Sequence, residues 1–560
     1  MAGPGGSAWE VSTAEDRGFA WSERADGDIR ARAKGCAFGA GGLLTSEGLA
    51  AAAAAAVAGA GTPGEGLRAF LAGLNGPFAI VVETAGAAWA AVDRCRSIPL
   101  FYGRAGGRLF IGDRAEWVRR RVGDERVDDL AATEFLLAGY VTGDGTLFPG
   151  VRQVRSGALV RAAGGAGGME VSAERYDPRR EERPLPDDPE ALYPLVEERL
   201  AGACSRLLES TAGRTLVVPL SGGHDSGGVA AMLKRLGARE VICFTYGLRR
   251  DWETHISRLT ARRLGYPWRF VPYTRRKMHA WFHSDEGRAY LDDAGNHCSM
   301  AFFNDFPAVG ELIRGGQVPD DAVFVPGHGA ASADQHLPPS FERMRRVGRD
   351  AFLEKVFRSH YFLRDWSDRR DRLRPILAER VFSRLDGLPV ETPQQAADAL
   401  QHWCRERTSN WITNWLRAYE FWGHAWRMPL WDRDWADLLA RLPFRLRIDR
   451  RLYRQHLDRT LFEPLGVAGP RRRRLRPTSH HNRLRNKLLD PWYGRYNGHL
   501  PLPRAWLIRN RDVCALDHPL VKKDRLAYLE YRNGLNVAYQ LRRIQERTAA
   551  GPVPLRLPGD

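Results

Sequence analysis

The chain has 560 residues, a length that predicts about two to four domains. It is 44% hydrophobic and contains 17 tryptophans, which excludes an intrinsically disordered protein, and no apolar stretch of about 18 residues predicts a membrane helix. The formal net charge is +17, and nearly all of the positive charge is carried by arginines. This charge could serve an acidic or nucleic-acid partner, but we favour arginines that are spread over solvated faces.

The cysteines and the N-terminal segment bear on the cellular compartment. The seven cysteines are scattered and none forms a C-x-x-C pair, so the sequence predicts neither a disulfide framework nor a structural zinc site. The segment Met1–Arg17 has no basic region followed by an apolar one, which argues against a secretory signal. We therefore expect a cytoplasmic protein without a membrane span.

Residues 1–177 predict a first, β-rich domain that is unusually rich in glycine and alanine. Short strand-like runs at 77–85, 87–94 and 108–113 are separated by turn signals, as in antiparallel sheets. The nearly all-alanine tract 49–60 predicts a helix, because alanine has the highest helix propensity.

The charged, proline-rich stretch 178–190 is typical of a linker. In the domain that follows, 191–445, strands alternate with helices, which predicts a parallel sheet with right-handed crossovers. Its first elements are a helix at 191–211, a strand at 214–220, a helix at 226–237, a strand at 240–247, a helix at 252–265 and a strand at 268–273. Residues 446–560 predict a basic, helical C-terminal extension.

The run SGGHDSGG, at 221–228, connects the first strand of this second domain to its helix. Such a loop can bind phosphate, because the first amides of a helix have no partner within the helix and the helix dipole is positive there. Glycines let the backbone close around an anion, and hydroxyls add hydrogen-bond donors. The run contains neither the G-x-x-x-x-G-K-[ST] pattern nor G-x-G-x-x-G, so it predicts neither common nucleotide loop.

The order Ser-Gly-Gly-x-Asp-Ser between strand and helix resembles the pyrophosphate-binding loop of the PP-loop ATP pyrophosphatases. The resemblance implies that ATP is split between its α- and β-phosphates, that Asp225 helps to hold Mg²⁺, and that a substrate becomes an adenylate. The residues implied to bind the pyrophosphate are Ser221, Gly222, Gly223, Asp225 and Ser226. We call Ser221–Ser226 the PP-loop below.

Three further segments narrow the resemblance to the asparagine synthetases. They are AAVDRCRSIPLFYG at 90–103, TEFLLAGYVTGDGTLFPGVRQVRSGALV at 133–160 and AYEFWGHAWRMPLWDRDWADLLARLP at 418–443, which occur in the family's order. The implied fold is α/β, with a layered α-β-β-α domain like a class II glutamine amidotransferase and a PP-loop parallel-sheet synthetase domain followed by a helical extension. The segment VPGHG, at 325–329, is similar to sequences of divergent asparagine synthetase family members that act in polysaccharide and natural-product pathways.

One departure from this family concerns the glutaminase reaction. The family uses a cysteine directly after the initiator methionine as nucleophile, whereas Ala2 follows Met1 here. Cys36 could serve only after removal of the preceding residues, and we favour a core role for it. We therefore expect no glutamine hydrolysis by this chain, so that its nitrogen comes from free ammonia, an amine or a partner that supplies ammonia.

A second departure concerns the later loop within 323–338. Gly327 and Gly329 match the family's pattern, and His328 stands at a position tied to proton transfer, where a pKa near neutrality would suit a proton acceptor. The family's metal-binding aspartate is replaced by Ala330 or Ala331. Asp334 is the candidate substitute for that lost magnesium ligand.

The resemblance implies further site residues outside the two loops. The backbone of Phe244, Thr245 and Tyr246, together with Gly327, is expected to frame the adenine and ribose. Glu420, a candidate catalytic residue, and Arg427 match the later helix and either line the acceptor pocket or form a buried ion pair. The basic run 469–487 is either an anion site or, as we favour, a solvated loop.

The sequence thus predicts an ATP- and Mg²⁺-dependent, AMP-forming carbon–nitrogen ligase of a natural-product or polysaccharide pathway. It adenylates a small-molecule or peptide carboxylate and joins it to ammonia or an amine. The alternatives are a catalytically degenerate binding or scaffold protein and a lasso-peptide-type macrocyclase. We expect no nucleic-acid partner and leave a homodimer open.

Overall fold

The structure, a computed structural model, describes residues 8–13, 17–165, 168–177, 185–247, 249, 252–329, 337–363, 366, 369–467 and 531–548. Within these ranges, no helix combines the length and the apolar character that a membrane span requires. The six cysteines in the same ranges are free and buried.

The N-terminal domain contains two main sheets with helices on their outer faces. Its strands are β1 (Trp9–Ser12), β2 (Trp21–Asp26), β3 (Ile29–Gly35), β4 (Ala37–Gly39), β5 (Gly42–Leu44), β6 (Phe78–Glu83), β7 (Ala87–Val92), β8 (Phe101–Ala105), β9 (Arg108–Gly112), β10 (Val151–Gln153), β11 (Ala158–Gly165) and β12 (Gly168–Arg175). Its helices are α1 (Ser46–Ala58), α2 (Pro63–Gly73), α3 (Ala115–Val122) and α4 (Asp129–Ala138). The strand orders are β1-β9-β8-β10 and β12-β11-β7-β6-β3-β2, and β4 pairs with β5.

The two-residue period of β6 explains the layering. Ala79 and Val81 lie in the core shared by the two sheets, whereas Ile80 and Val82 lie in the core beneath α1 and α2. Because successive strand residues point to opposite faces, a strand with apolar residues on both faces must be covered on both sides. The expected α-β-β-α arrangement is therefore confirmed.

The second domain is built on a parallel five-stranded sheet. Its strands are β13 (Leu216–Pro219), β14 (Val241–Gly247), β15 (Trp268–Pro272), β16 (Val323–Phe324) and β17 (Ala425–Trp426). Its helices are α5 (Pro189–Glu209), α6 (His224–Arg235), α7 (Trp252–Leu264), α8 (Arg275–His283), α9 (Asp285–Asp293), α10 (Phe306–Arg314), α11 (Gly348–His360), α12 (Arg370–Phe382), α13 (Pro393–Asn410), α14 (Leu416–Phe421), α15 (Arg433–Arg441), α16 (Phe444–Arg447) and α17 (Arg451–His456). Short 3₁₀ turns at Pro339–Arg343, Ile412–Trp415, Pro429–Trp431 and Ile448–Arg450, a π-helical turn at Leu457–Phe462 and a last helix, α18 (Tyr531–Glu546), complete the described elements.

The strand order of this sheet defines where a ligand can bind. The order is β15-β14-β13-β16-β17, and every neighbouring pair is parallel. The chain moves outward in one direction from β13 to β15 and then returns to the other side of β13 with β16. The loops that follow β13 and β16 therefore diverge, which opens a crevice at the carboxyl edge of the sheet, the usual ligand site of open α/β folds.

Part of the predicted C-terminal extension belongs to the core of the second domain. Leu452, Leu457 and Phe462 are fully buried together with residues of α5, β13 and α6. The side chain of Gln540, on α18, exchanges two hydrogen bonds with the backbone of Ala301 at 2.8 and 3.0 Å. The basic run 469–487 lies outside the described residues.

A polar clasp joins the two domains. Asn75 donates to Asp432 Oδ2 at 3.0 Å and accepts from the backbone amide of Arg433 at 2.8 Å. Arg206, on α5, holds both Asp432 oxygens at 2.7 Å, so the loop before β6 is tied to the start of α15. The clasp borders an interdomain pocket, which Cys36 and Arg427 also line.

Candidate nucleotide-binding site

The PP-loop lies between β13 and α6, as the sequence predicts, and its own hydroxyls fix its shape. The backbone amide of Ser221 donates to Ser226 Oγ at 3.0 Å, and the two serine hydroxyls are also 3.0 Å apart. Gly223 caps α6, and its amide donates to Ser221 Oγ at 3.1 Å. The loop therefore presents a helix N-terminus whose first turn includes Asp225 and Ser226.

The end of β14 anchors the start of the loop. The amide of Leu220 donates to the carbonyl of Phe244 at 2.8 Å, and Thr245 Oγ1 donates to the carbonyl of Leu220 at 2.6 Å. The Phe244 side chain is fully buried and packs against Phe324 of β16. The segment expected to frame the adenine thus lies directly beside the PP-loop, with the Phe244 ring turned into the core.

Gly327, in the loop after β16, packs against the PP-loop. A Cβ atom at this glycine would stand 2.6 Å from the amide nitrogen and 2.8 Å from Cα of Ser226. No side chain fits in that space, so glycine permits the approach of the two loops. Gly327 and Ser226, which both match the family's pattern, are therefore in direct contact beside the crevice.

His328 follows this contact and packs edge-to-face on Trp415, with ring centroids 4.5 Å apart. Burial lowers the pKa of His328 to about 4, which corrects the near-neutral value expected from the sequence. The imidazole is therefore neutral at pH 7, and its buried Nδ1 has no hydrogen-bond partner among the described residues. A neutral ring can accept a proton, although a pKa of about 4 makes it a weaker base than an ordinary histidine.

Asp225 is paired with an arginine that the sequence did not single out. Arg450 Nη1 donates to Asp225 Oδ2 at 2.6 Å. Burial lowers the pKa of Arg450, but the charge and the hydrogen bond of Asp225, with smaller contributions from Tyr453 and Asp449, together more than offset burial and raise that pKa. Asp449 and Arg450 both have left-handed backbone conformations, with φ of 51° and 56°, which cost about 1 kcal/mol or more each for residues other than glycine.

The residues around the PP-loop suit the phosphate groups of ATP better than they suit a magnesium ion. The glycines and hydroxyls of the PP-loop at a helix N-terminus suit a phosphate group. For Mg²⁺, the described residues contain no group of three or more His, Cys, Asp or Glu side chains at ligand spacing. Within the part of the chain that the structure describes, the buried second carboxylate oxygen of Asp225, Oδ1, nevertheless accepts no hydrogen bond of good geometry. Mg²⁺ at phosphate sites often takes a single protein carboxylate with waters and phosphate oxygens. Asp334 and the Ala330–Ala331 pair lie outside the described residues.

A buried carboxyl group, which the sequence did not reveal, stands at the same edge of the sheet. Asp305 immediately precedes α10 and accepts hydrogen bonds from Tyr246 and, at 2.7 Å, from Tyr419. Burial raises the pKa of Asp305, while the two tyrosine hydroxyls act in the opposite direction. These bonds hold Tyr246 at the end of β14, where the sequence expected a nucleotide contact.

Glu420 and Arg427 have different hydrogen-bond partners and lie in different surroundings. Glu420 is buried beneath Gly18, where it accepts from Trp426 Nε1 at 2.9 Å and lies 3.1 Å from Arg417 Nε. It borders a small pocket at the domain interface. Arg427 donates to Ser210 and to the carbonyl of Trp426. Within the described residues, neither side chain forms a hydrogen bond or an ion pair with the PP-loop. In the same part of the chain, the two side chains also do not pair with each other.

Cys36 has the surroundings of a core residue. It is 7% exposed, and burial raises the pKa of its thiol, with the Arg427 charge opposing part of that effect. A thiol with a raised pKa forms little thiolate at pH 7 and is a poor nucleophile. This environment supports the expectation that Cys36 is a core residue.

Comparisons with known proteins bear on the second domain. The sequence profile of the asparagine synthase family matches residues 195–305, which include the PP-loop and strands β13 to β15. No curated protein sequence matches the chain.

Two solved structures are among those that the chain resembles. A glutamine phosphoribosylpyrophosphate amidotransferase from B. subtilis, complexed with ADP and GMP, is 13% identical with a TM-score of 0.20, over 56% of this chain and 59% of that one. A structure described as the allosteric regulatory enzyme of purine biosynthesis is 14% identical with a TM-score of 0.20, over 44% and 61%. This chain thus spans less than two thirds of either structure, and such TM-scores are too low to show a shared overall fold. Residues 195–305 are thus similar to the asparagine synthase family, which confirms the resemblance first seen in the PP-loop.

Proposed function

We propose that this protein is an ATP-dependent, AMP-forming ligase that activates a carboxylate and joins it to ammonia or an amine. The observation that carries the proposal is the contact of Gly327 with Ser226, because it brings the two family-like loops together at the switch point of the sheet. The match of the asparagine synthase family to the segment that contains the PP-loop supports the same reaction class.

The PP-loop would hold the pyrophosphate part of ATP. Amides at the start of α6 and the hydroxyls of Ser221 and Ser226 would donate to the phosphate oxygens, at a helix N-terminus where the helix dipole favours an anion. Asp225 Oδ1 is the candidate ligand for Mg²⁺, which when bound neutralises charge on the departing pyrophosphate. The ends of β14 and β16 would border the nucleoside.

In the proposed reaction, a carboxylate oxygen attacks the α-phosphorus of ATP, and the bond between the α-phosphorus and the bridging oxygen breaks to release pyrophosphate. The amine then attacks the acyl carbon of the adenylate, its proton passes to a base, and AMP leaves. His328 is the candidate base, since its lowered pKa keeps it neutral at pH 7 and its Nδ1 has no hydrogen-bond partner among the described residues.

The acid and the amine are not specified by the described residues. A small acid and ammonia would give a primary amide in a natural-product or polysaccharide pathway. An acid and an amine within one peptide would give a macrocycle of the lasso-peptide type. The proposal is compatible with a partner protein that supplies ammonia. It is also compatible with a homodimer.

A catalytically degenerate binding protein is the second candidate function. The observation that favours it is the engagement of Asp225 Oδ2 by Arg450, together with the absence of an acidic metal-binding cluster within the described ranges. Such a protein would bind ATP without cleaving it.

The test is to incubate the purified chain with ATP, Mg²⁺ and a panel of carboxylic acids and amines, and to quantify AMP, ADP, pyrophosphate and phosphate. The proposal predicts AMP and pyrophosphate in equal amounts, dependent on an acid. Asp225→Asn should abolish this activity, whereas Asp188→Asn, which changes an exposed aspartate at the N-terminus of α5, should retain it. ATP binding without cleavage would support the degenerate protein, and formation of ADP and phosphate would refute the proposed reaction.

A further inference from the structure

The PP-loop carries one unusual contact, its pairing with Arg450. The guanidinium reaches Asp225 from a turn 225 positions away along the chain, and the side chains are 16% and 28% exposed. Two consecutive left-handed residues, Asp449 and Arg450, direct the chain into this position. Strained backbone of this kind is maintained where the surrounding structure holds it, and it is concentrated at functional sites.

The pair is only partly satisfied. Asp225 Oδ1 and Arg450 Nε are both buried, and neither has a hydrogen-bond partner among the described residues. The Tyr453 hydroxyl lies beside Asp225, whose charge and side-chain interaction help burial to raise the pKa of Tyr453, but no hydrogen bond of good geometry joins the two among the described residues. A buried polar group without a partner is costly, so three such groups around one ion pair indicate a site completed by a ligand.

We propose that Arg450 is a phosphate-binding residue that occupies Asp225 in the absence of nucleotide and exchanges partners when a magnesium–polyphosphate ligand arrives. This inference rests on the proposed function, since it assigns the ligand of the PP-loop. In the exchange, Asp225 releases the guanidinium and becomes available to the metal. Arg450 turns its donors to phosphate oxygens, for which the planar guanidinium is well suited.

This assignment gives Arg450 two opposite effects on binding. Its charge attracts the polyphosphate, so its removal should weaken pyrophosphate binding. The same charge competes with a cation for Asp225, so its removal should strengthen metal binding in the absence of nucleotide. A purely structural salt bridge would instead support the loop, and its loss would weaken both.

The test measures two affinities on the full-length chain. Pyrophosphate binding in the presence of Mg²⁺ is followed by calorimetry, and Mn²⁺ binding without nucleotide is followed by electron paramagnetic resonance, since Mn²⁺ shares the oxygen-ligand preference of Mg²⁺. Arg450→Met should weaken pyrophosphate binding by about 10- to 100-fold, as expected for a lost charged hydrogen bond. It should strengthen Mn²⁺ binding by about tenfold.

The matched control is Arg451→Met, which removes the same charge one residue later. Arg451 pairs with Glu342 at 3.0 Å instead of the PP-loop, so both affinities should stay within about twofold of the wild type. If Arg450→Met fails to melt cooperatively, Arg450→Lys replaces it. Lysine keeps the charge but loses the planar fork, so pyrophosphate binding should fall by several-fold while Mn²⁺ binding stays unchanged.

The possible outcomes separate this inference from the proposed function. Weaker pyrophosphate binding with stronger Mn²⁺ binding supports the exchange. Unchanged pyrophosphate binding, or a loss of both affinities in a folded variant, overturns it. If the wild-type chain itself fails to bind pyrophosphate, the proposed function fails together with the inference.

Discussion

The contact between Gly327 and Ser226 leads to a quantitative prediction for Gly327→Ala. The added Cβ would lie 2.6 Å from the Ser226 amide nitrogen, whereas ordinary van der Waals contact begins at 3.4 Å. The obstructing atoms belong to backbone, so the two loops must separate by about 0.8 Å. A misplacement near 1 Å in a catalytic site can lower the rate by roughly 10²-fold, and overpacking costs about 1–3 kcal/mol of stability.

The assay compares Gly327→Ala with the wild type in thermal melting, ATP calorimetry and acid-dependent pyrophosphate release. We expect a lower melting temperature, weaker ATP binding and a roughly 100-fold slower reaction. Gly73→Ala is the matched control, because a Cβ there meets no atom within 4 Å. It should match the wild type in all three measurements. Wild-type stability and ATP affinity in Gly327→Ala would refute the close approach of the two loops.

Three other predictions concern charge and polarity. Glu134 is fully buried and contacts Arg380 at 2.8 Å, so Glu134→Gln should lower the free energy of unfolding by about 3 kcal/mol, measured by chemical denaturation; a change below about 0.5 kcal/mol would contradict this. Asn75→Ala removes the two hydrogen bonds of the interdomain clasp and should cost about 2 kcal/mol in the same assay, whereas an unchanged value would show that the clasp contributes nothing. Burial lowers the pKa of His328 from 6.5 to about 4, so its contribution to stability is complete above pH 6.5 and is lost as pH falls toward 4. The wild type should therefore lose stability relative to His328→Asn as the pH falls from 6.5 to about 4. A stability difference that stays constant over this range would exclude the lowered pKa of His328.

The elements of the second domain were largely predictable from the sequence. The strand predicted at 240–247 is observed at Val241–Gly247, because its apolar residues, interrupted only by Thr245, continue to the turn. The helix predicted at 226–237 begins two residues earlier, at His224, since Gly223 serves as its cap. That shift places Asp225 in the first turn of the helix, where a carboxylate is stabilised by the helix dipole.

The details of the candidate site depend on contacts between distant parts of the chain. Nothing in the local pattern around Arg450 separates it from the many other arginines, and its partner lies 225 positions away. The lowered pKa of His328 follows from burial beside Trp415, whereas a sequence supplies only the ordinary value of a histidine. Asp305 likewise becomes notable only because two tyrosines from different segments converge on it.

The central claim is that a carboxylate oxygen becomes bonded to the α-phosphorus of ATP at the PP-loop. The most direct measurement uses a substrate acid labelled with ¹⁸O in its carboxylate, followed by mass spectrometry of the phosphorus-containing products. The account predicts that one ¹⁸O atom per turnover appears in AMP and none in inorganic phosphate. Transfer of ¹⁸O to inorganic phosphate would reveal an acyl phosphate, and unlabelled AMP would show that the acid is not activated through the α-phosphate; either result would contradict the account.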